Sequence, residues 1–278
     1  MRLGGPVAEA AEGPEEWISG LDRRGYTAAA FSLHIEHDEY AVREYAEAAR
    51  SADVVIAEVG AWSNSISADE AVQREAVELC CRRLALADRV GARCCVNISG
   101  SRGEQWDGPH PDNLSVDTFA LVVQTVREII DAVHPTRTHY ALEPMPWSLP
   151  DSPQAYLDLI RAVDRAAFAV HLDPINMISS PGCYYDTAGF LKECFKMLGP
   201  YIRSCHAKDI TLSGALTVHL DEVRPGLGAL DYGVYLRLLA GLDPDTPLLL
   251  EHLPSEDDYA AGAEYLRTTA RDLGIVLR

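Results

Sequence analysis

The sequence predicts an α/β protein, a (β/α)8 TIM barrel forming a single domain over residues 1–278. Three observations predict it. Eight short runs of Val, Ile, Leu and Ala alternate with longer amphipathic stretches, the pattern of a parallel sheet covered by helices. The runs are apolar at consecutive positions, as strands buried on both faces are. Eight such units in 278 residues match the size of one closed barrel. A doubly wound open sheet would want a glycine-rich phosphate turn after its first strand. Leu3-Gly4-Gly5-Pro6 does not supply one, and Pro6 would spoil the helix start that follows.

In chain order, the expected strands cover 2–7, 27–33, 53–59, 92–98, 138–142, 167–172, 202–205 and 247–250, each bounded by turn or polar residues. Helices are expected near 14–24, 38–50, 68–90, 115–133, from 152 onward, and near 186–198, 231–241 and 256–272. In the third, Ser67 and Glu70 read as a capping box. Val72, Ala76, Leu79, Arg83, Leu86 and Val90 then recur at helical spacing, and Gly91 supplies the stop. Pro135 ends the fourth. Ser152 and Pro153 fit the N-cap and first helical position of the fifth. No linker, low-complexity segment or short repeat divides the chain.

Charge narrows the partners. With 42 acidic against 24 basic residues the net charge is −18, a field that opposes polyanions. No Lys/Arg cluster offers the basic patch that nucleic acid or an anionic membrane surface would need. No apolar run approaches 18 residues, and the N-terminus lacks a long apolar core, so a cytoplasmic protein is expected. The seven cysteines include the adjacent pairs Cys80-Cys81 and Cys94-Cys95 but no CxxC. They read as small buried hydrophobes in a reducing compartment.

In a barrel the chemistry sits at the C-terminal ends of the strands. The fifth to eighth expected strands run into Glu143, Asp173, His206 and Glu251. Three carboxylates brought together at a barrel mouth cannot all stay ionised without a cation. Oxygen-rich ligation with one nitrogen suits Mn2+ best, with Mg2+, Co2+ and Zn2+ as alternatives. Around them, His34 and His37 follow the second strand, Trp62 the third, Asn97 and Ser99 end the fourth, and Trp147 lies beyond Glu143. Of these, His34, Trp62 and Trp147 are candidate substrate contacts, an aromatic ring being suited to the apolar face of a sugar. Lys208, two residues past His206 on the same face, is a candidate substrate ligand, as is Arg224 from the next loop. His171 shares the inward face of Asp173 but lies deeper. The loops 99–103 and 179–185 read as flexible lids.

Four segments carry a family resemblance: Ala141-Leu142-Glu143-Pro144, His171-Leu172-Asp173, Cys205-His206-Ala207-Lys208-Asp209 and Arg224-Pro225-Gly226-Leu227-Gly228-Ala229-Leu230-Asp231. Together, over essentially the whole chain, they resemble the xylose-isomerase-like sugar isomerase/epimerase superfamily. The resemblance implies a divalent metal on Glu143, Asp173, His206 and Glu251. It also implies that Glu143 and Glu251 are the acid/base pair that moves a proton through a cis-enediolate. The implied partner is a small-molecule carbohydrate (a sugar, keto-sugar or cyclitol), with a homo-oligomer or partner subunit as a further implication. The substrate shell departs from that of ketose epimerases. Asn176 stands where epimerase-like members carry a substrate-binding His, Glu222 where they carry an Arg, and Leu149 where they carry a Glu. Alternatives stay open: a metal-dependent lyase or C-glycoside-cleaving enzyme acting on 3-keto sugars, or a non-catalytic sugar-binding barrel. The apurinic-site endonucleases share the fold but need a histidine-rich trinuclear zinc site and a basic DNA-facing surface, which the net charge argues against.

Overall fold

The computed structural model describes all 278 residues. The first part of the chain runs β1 (Arg2–Gly4), α1 (Pro14–Arg24), β2 (Ala28–Ala30), α2 (Glu39–Ser51), β3 (Val55–Gly60), α3 (Glu70–Val90), β4 (Cys94–Asn97), α4 (Val116–Val133), β5 (Tyr140–Leu142), α5 (Pro153–Val163) and β6 (Phe168–Leu172). It continues with α6 (Pro181–Tyr185), α7 (Thr187–Leu198), β7 (Ile202–Ala207), β8 (Asp209–Leu212), β9 (Leu220–Val223), α8 (Tyr232–Leu239), β10 (Pro247–Leu250) and α9 (Glu256–Asp272). Eight parallel strands close a barrel in the order β1-β10-β7-β6-β5-β4-β3-β2, as expected. The antiparallel hairpin β8-β9 is an excursion between the seventh and eighth barrel strands that the sequence reading did not foresee.

Helix ends follow side-chain chemistry. Ser115, Ser152 and Ser255 each accept a backbone N–H at the starts of α4, α5 and α9, satisfying donors that the helix leaves unpaired. The cap of α3 lies two residues past the expected one. The Asp69 carboxylate accepts from Ala71 and Val72, and Ser67 Oγ accepts from Asp69 N–H instead. A carboxylate beside the positive end of the helix dipole is the stronger cap. Most of the segment 179–185 is the short helix α6, which Ser180 caps, and not an open loop. The apolar faces of the helices and the outer faces of the strands share one core that includes Trp17, Leu21, Leu84, Ile129, Tyr156 and Leu198. At the N-terminal end of the barrel, the buried Arg2 guanidinium bridges Asp53 and Asp245, each at 2.8 Å.

The hairpin's return is organised by one carboxylate. Asp209 accepts from the backbone N–H groups of Gly226, Gly228 and Leu230 at 2.9–3.0 Å. A Cβ at Gly228 would lie 2.3 Å from that carboxylate, so this close approach admits only glycine. The Pro225-Gly226-Leu227-Gly228 turn is therefore a backbone cradle for Asp209, two residues after the hairpin leaves the barrel wall.

Candidate metal centre

Glu143 directly follows β5, Asp173 follows β6, His206 is the penultimate residue of β7, and Glu251 directly follows β10. Parallel pairing sets these strand ends side by side, and the four side chains meet at the barrel mouth. His206 Nδ1 lies 3.3 Å from Glu143 Oε1, 3.3 Å from Asp173 Oδ2 and 3.1 Å from Glu251 Oε2. All four donor atoms lie within 4.8 Å of one another. Metal–ligand bonds of roughly 2.0–2.2 Å put neighbouring donors about 3 Å apart around one ion, so the spacing fits a divalent cation. Glu251 Oε2 is buried and enters no well-directed hydrogen bond, which leaves an acceptor aimed into the cluster.

Lys208 sits inside this set. Its side chain is 1% exposed, and Nζ lies 2.8 Å from Glu251 Oε2, 2.9 Å from Asp173 Oδ2, 3.5 Å from Glu222 Oε2 and 3.7 Å from Glu143 Oε1. Burial alone would raise the Asp173 and Glu251 carboxyls. The Lys208 ammonium and the His206 imidazole reverse that and hold both far below the usual carboxylate range. Burial dominates at Glu143, whose carboxyl is raised despite the same two neighbours. Asn176 Nδ2 donates to Glu143 Oε1 at 3.0 Å. The two glutamates thus differ in direction: burial raises Glu143, while the cationic neighbours lower Glu251.

Beneath His206 lies a second acidic contact. Glu58, near the end of β3, places Oε1 3.6 Å from His206 Nε2 and Oε2 3.2 Å from His171 Nδ1. Ser204 Oγ donates to Glu58 Oε2 at 3.3 Å. Strands β3 and β7 are not neighbours in the sheet, so these contacts cross the barrel interior. His171 is fully buried, and its imidazole is pushed down to about 4, first by burial and then by His206. Burial would raise the Glu58 carboxyl, but the two imidazoles hold it below its ordinary value.

The cluster opens into a cavity of about 450 Å3. Of the expected substrate contacts, Trp62, Trp147, Asn176 and Lys208 line it. His34 does not. Its side chain is 73% exposed, 3.7 Å from Glu36, and it borders a separate, smaller cavity. The physical reason is that β2 ends at Ala30 rather than at residue 33, so His34 is carried beyond the barrel rim. Arg224 is also outside the cavity lining; its Nε lies 3.6 Å from Asp258. The loop 99–103 is no flexible lid. Ser99 and Ser101 are buried, and Asn64 and Asn113 take up the backbone groups of Ser101 and Arg102. Seven lining residues escaped the sequence reading as site residues: Ile98, Trp106, Asp107, Met145, Pro146, Glu222 and His252. His252 adopts a left-handed backbone, φ 55°, and faces Glu222 at 3.5 Å.

A family model described as xylose isomerase-like TIM barrel matches residues 21–269. No curated protein sequence matches the chain. Among solved structures, endonuclease IV from Thermus thermophilus superposes with a TM-score of 0.73 at 14% identity, covering 98% of this chain and 100% of that one. D-psicose 3-epimerase with D-tagatose, from Clostridium cellulolyticum H10, gives 0.71 at 13% identity, covering 99% and 100%. A xylose isomerase-like TIM barrel protein from Mycobacterium smegmatis, in complex with magnesium, gives 0.67 at 15%, covering 94% and 90%. At these identities the likenesses establish the fold. No helix of the chain is long and apolar enough to cross a membrane.

Proposed function

This chain belongs to the xylose isomerase-like TIM barrel family, and from that premise we propose that it is a divalent-metal-dependent isomerase or epimerase of a sugar, keto-sugar or cyclitol. One observation carries the reading: two glutamates of opposite acid–base bias, Glu143 and Glu251, stand in one four-ligand cluster and line one cavity. Groups whose surroundings push their proton affinities apart are suited to acid and base roles. A divalent cation held by Glu143, Asp173, His206 and Glu251 would polarise a carbonyl and its neighbouring hydroxyl, making the adjacent C–H acidic; Mn2+ is our first choice, and the magnesium of the Mycobacterium smegmatis relative supports the class. One glutamate of the pair Glu143 and Glu251 takes the carbon-bound proton, leaving a cis-enediolate. The other returns a proton to the same or the neighbouring carbon. Asn176 holds Glu143 in place, and Lys208 is within reach of a substrate oxygen above the same carboxylates.

The D-psicose 3-epimerase neighbour supports this chemistry, whereas an acidic chain with a net charge of −18 does not suit the duplex that an endonuclease approaches. The seven thiols are all unpaired, which suits the cytoplasm as location. The test is solvent deuterium exchange into substrate carbon by the Mn2+-loaded protein across free sugars, keto-sugars and inososes. Exchange at one carbon without fragmentation is expected. Two fragments would move the assignment to a lyase of 3-keto sugars, and no exchange with any member would overturn it.

A further inference from the structure

The cavity is divided by chemistry, and the division follows the barrel. Its apolar lining comes from loops after three adjacent strands: Trp62 after β3, Ile98 and Trp106 after β4, and Met145, Pro146 and Trp147 after β5. Its polar lining comes from the other side. Asn176 follows β6, Lys208 follows β7, Glu222 lies on β9, and Glu251 and His252 follow β10, with Glu143 at the boundary. Besides Glu143, the one charged lining residue from these loops, Asp107, is already engaged. Its carbonyl accepts from Trp147 Nε1 at 2.7 Å and its carboxylate from Gln105 Nε2 at 3.0 Å.

The apolar side is a built wall. Trp62, Trp106 and Trp147 are 43%, 40% and 39% exposed, whereas Trp17, the fourth tryptophan, is 1% exposed in the core. Asn113 is fully buried and ties the two longer loops together. Its Nδ2 donates to Gly108 O and Trp147 O, and its Oδ1 accepts from Arg102 N–H. Trp62 lies so close over Gly60 that a Cβ there would come within 2.4 Å of the indole nitrogen. Large rings held half-exposed against one cavity mark a place where apolar surface is covered by a ligand. The cavity's 450 Å3 falls in the range of sites that hold a drug-sized ligand, larger than one hexose. The three indole faces offer mainly apolar contact, and Trp147 Nε1 already donates to Asp107 O, which favours a planar apolar ring over a second, hydroxyl-rich sugar ring.

We propose that the substrate is a two-part molecule: a sugar or cyclitol head on the carboxylate floor, joined to a planar apolar ring that lies against Trp62, Trp106 and Trp147. The head rests on the function proposed above; the ring rests on the wall alone. Three of the four tryptophans report on the cavity, so intrinsic fluorescence reads binding directly. The Mn2+-loaded protein is titrated with phenyl and methyl β-glycosides of glucose, galactose and xylose, with cellobiose, and with phenol. In at least one sugar pair the phenyl member is expected to bind about tenfold more tightly than the methyl member, and Trp106→Ala and Trp147→Ala lower that preference severalfold. Phenol that binds in a Trp147-dependent way supports the wall even when all three heads are wrong. Equal affinity within every pair, cellobiose ahead of every phenyl glycoside, or no binding by phenol and phenyl glycosides alike overturns the proposal. A phenyl preference without deuterium exchange would sink the reaction and leave the wall standing.

Discussion

His206 serves two clusters that resemble each other on paper. Through Nδ1 it faces Glu143, Asp173 and Glu251; through Nε2 it faces Glu58, which also contacts His171. In both sets the donor atoms lie within 4.8 Å of one another. The upper set has four donors, an embedded lysine and an open cavity above it. In the lower set His171 is wholly buried, its ring nitrogens make no well-formed hydrogen bond, and it borders none of the larger cavities. Proximity of ligand types is thus common to both, while the larger cavity, lined by both glutamates, opens onto the upper set; of the lower set, Glu58 and His206 border only smaller cavities. We read the upper set as the place of chemistry and the lower set as the support that orients His206.

Replacing the upper carboxylates tests that division most severely. Glu143→Gln and Glu251→Gln keep the shape but remove the carboxylates we propose hold the cation and move the proton, so turnover should fall at least about 10²–10⁴-fold in steady-state assays with the substrate found by deuterium exchange. Retained activity in both variants would put the chemistry elsewhere.

The lower set should reveal itself in stability instead. The folded chain holds His171 at about 4 against a usual 6.5. Its proton affinity is depressed, so between pH 6.5 and 4 the unfolded chain binds a proton that the folded chain refuses. Stability therefore falls as pH drops through that window, by at most on the order of 3 kcal/mol from this group, and below pH 4 it contributes no further loss. Urea unfolding at pH 7 and pH 4.5 measures it. His171→Leu should lose less stability than the parent between the two pH values; an identical loss would mean that His171 is not held neutral.

Glu58 joins the two regions, and its effect should be smaller but more specific. With a cation on Nδ1, the proton of His206 would lie on Nε2, on the side of Glu58, 3.6 Å away. A carboxylate behind a ligating histidine fixes its tautomer and orientation, and loss of such a partner costs about 10–100-fold in metal affinity. Glu58→Gln should show that weakening for Mn2+ by calorimetric titration, with the circular dichroism of the fold unchanged. Undiminished affinity would reduce the lower set to core packing.

Glu143, Asp173 and Glu251 are legible in the sequence because each directly follows a mainly apolar strand, whereas His206 lies within the mixed run Ile202-Arg203-Ser204-Cys205-His206-Ala207 and is legible through its place in the order of the four. A strand that stops at Glu or Asp marks itself. Glu58 sits inside such a run, Val55-Ile56-Ala57-Glu58-Val59, and reads as strand; its one visible signal is a charge where only apolar residues belong. Trp106 lies far along the loop after β4, and the buried Asn113 and the Trp147 Nε1–Asp107 O bond bring that loop to the cavity. Asp209 is visible within the resemblance, but its role as acceptor for the glycine turn depends on a hairpin that short alternating runs do not announce. The eight-unit barrel is robust because hydrophobic alternation repeats around it, whereas strand ends drift by several residues, and those drifts decide which side chains reach the mouth.

His34 is where such a drift has a measurable consequence. The expected second strand would have set it at the rim; the observed one ends at Ala30, four residues short of it. The imidazole is left in solvent, 3.7 Å from Glu36, whose carboxylate is already bound by Arg83 at 3.0 Å. An exposed side chain with so weak a partner contributes within about ±0.5 kcal/mol to stability. It also stands outside the cavity that holds both glutamates. His34→Ala should therefore leave the urea midpoint nearly where it was and change kcat/KM by less than about twofold. A tenfold rise in KM at constant kcat would instead mean that the smaller cavity beside Trp62, which His34 and Glu58 both border, takes part of the substrate. The tryptophan between the two cavities would then act as a partition within one binding site, not as its outer wall.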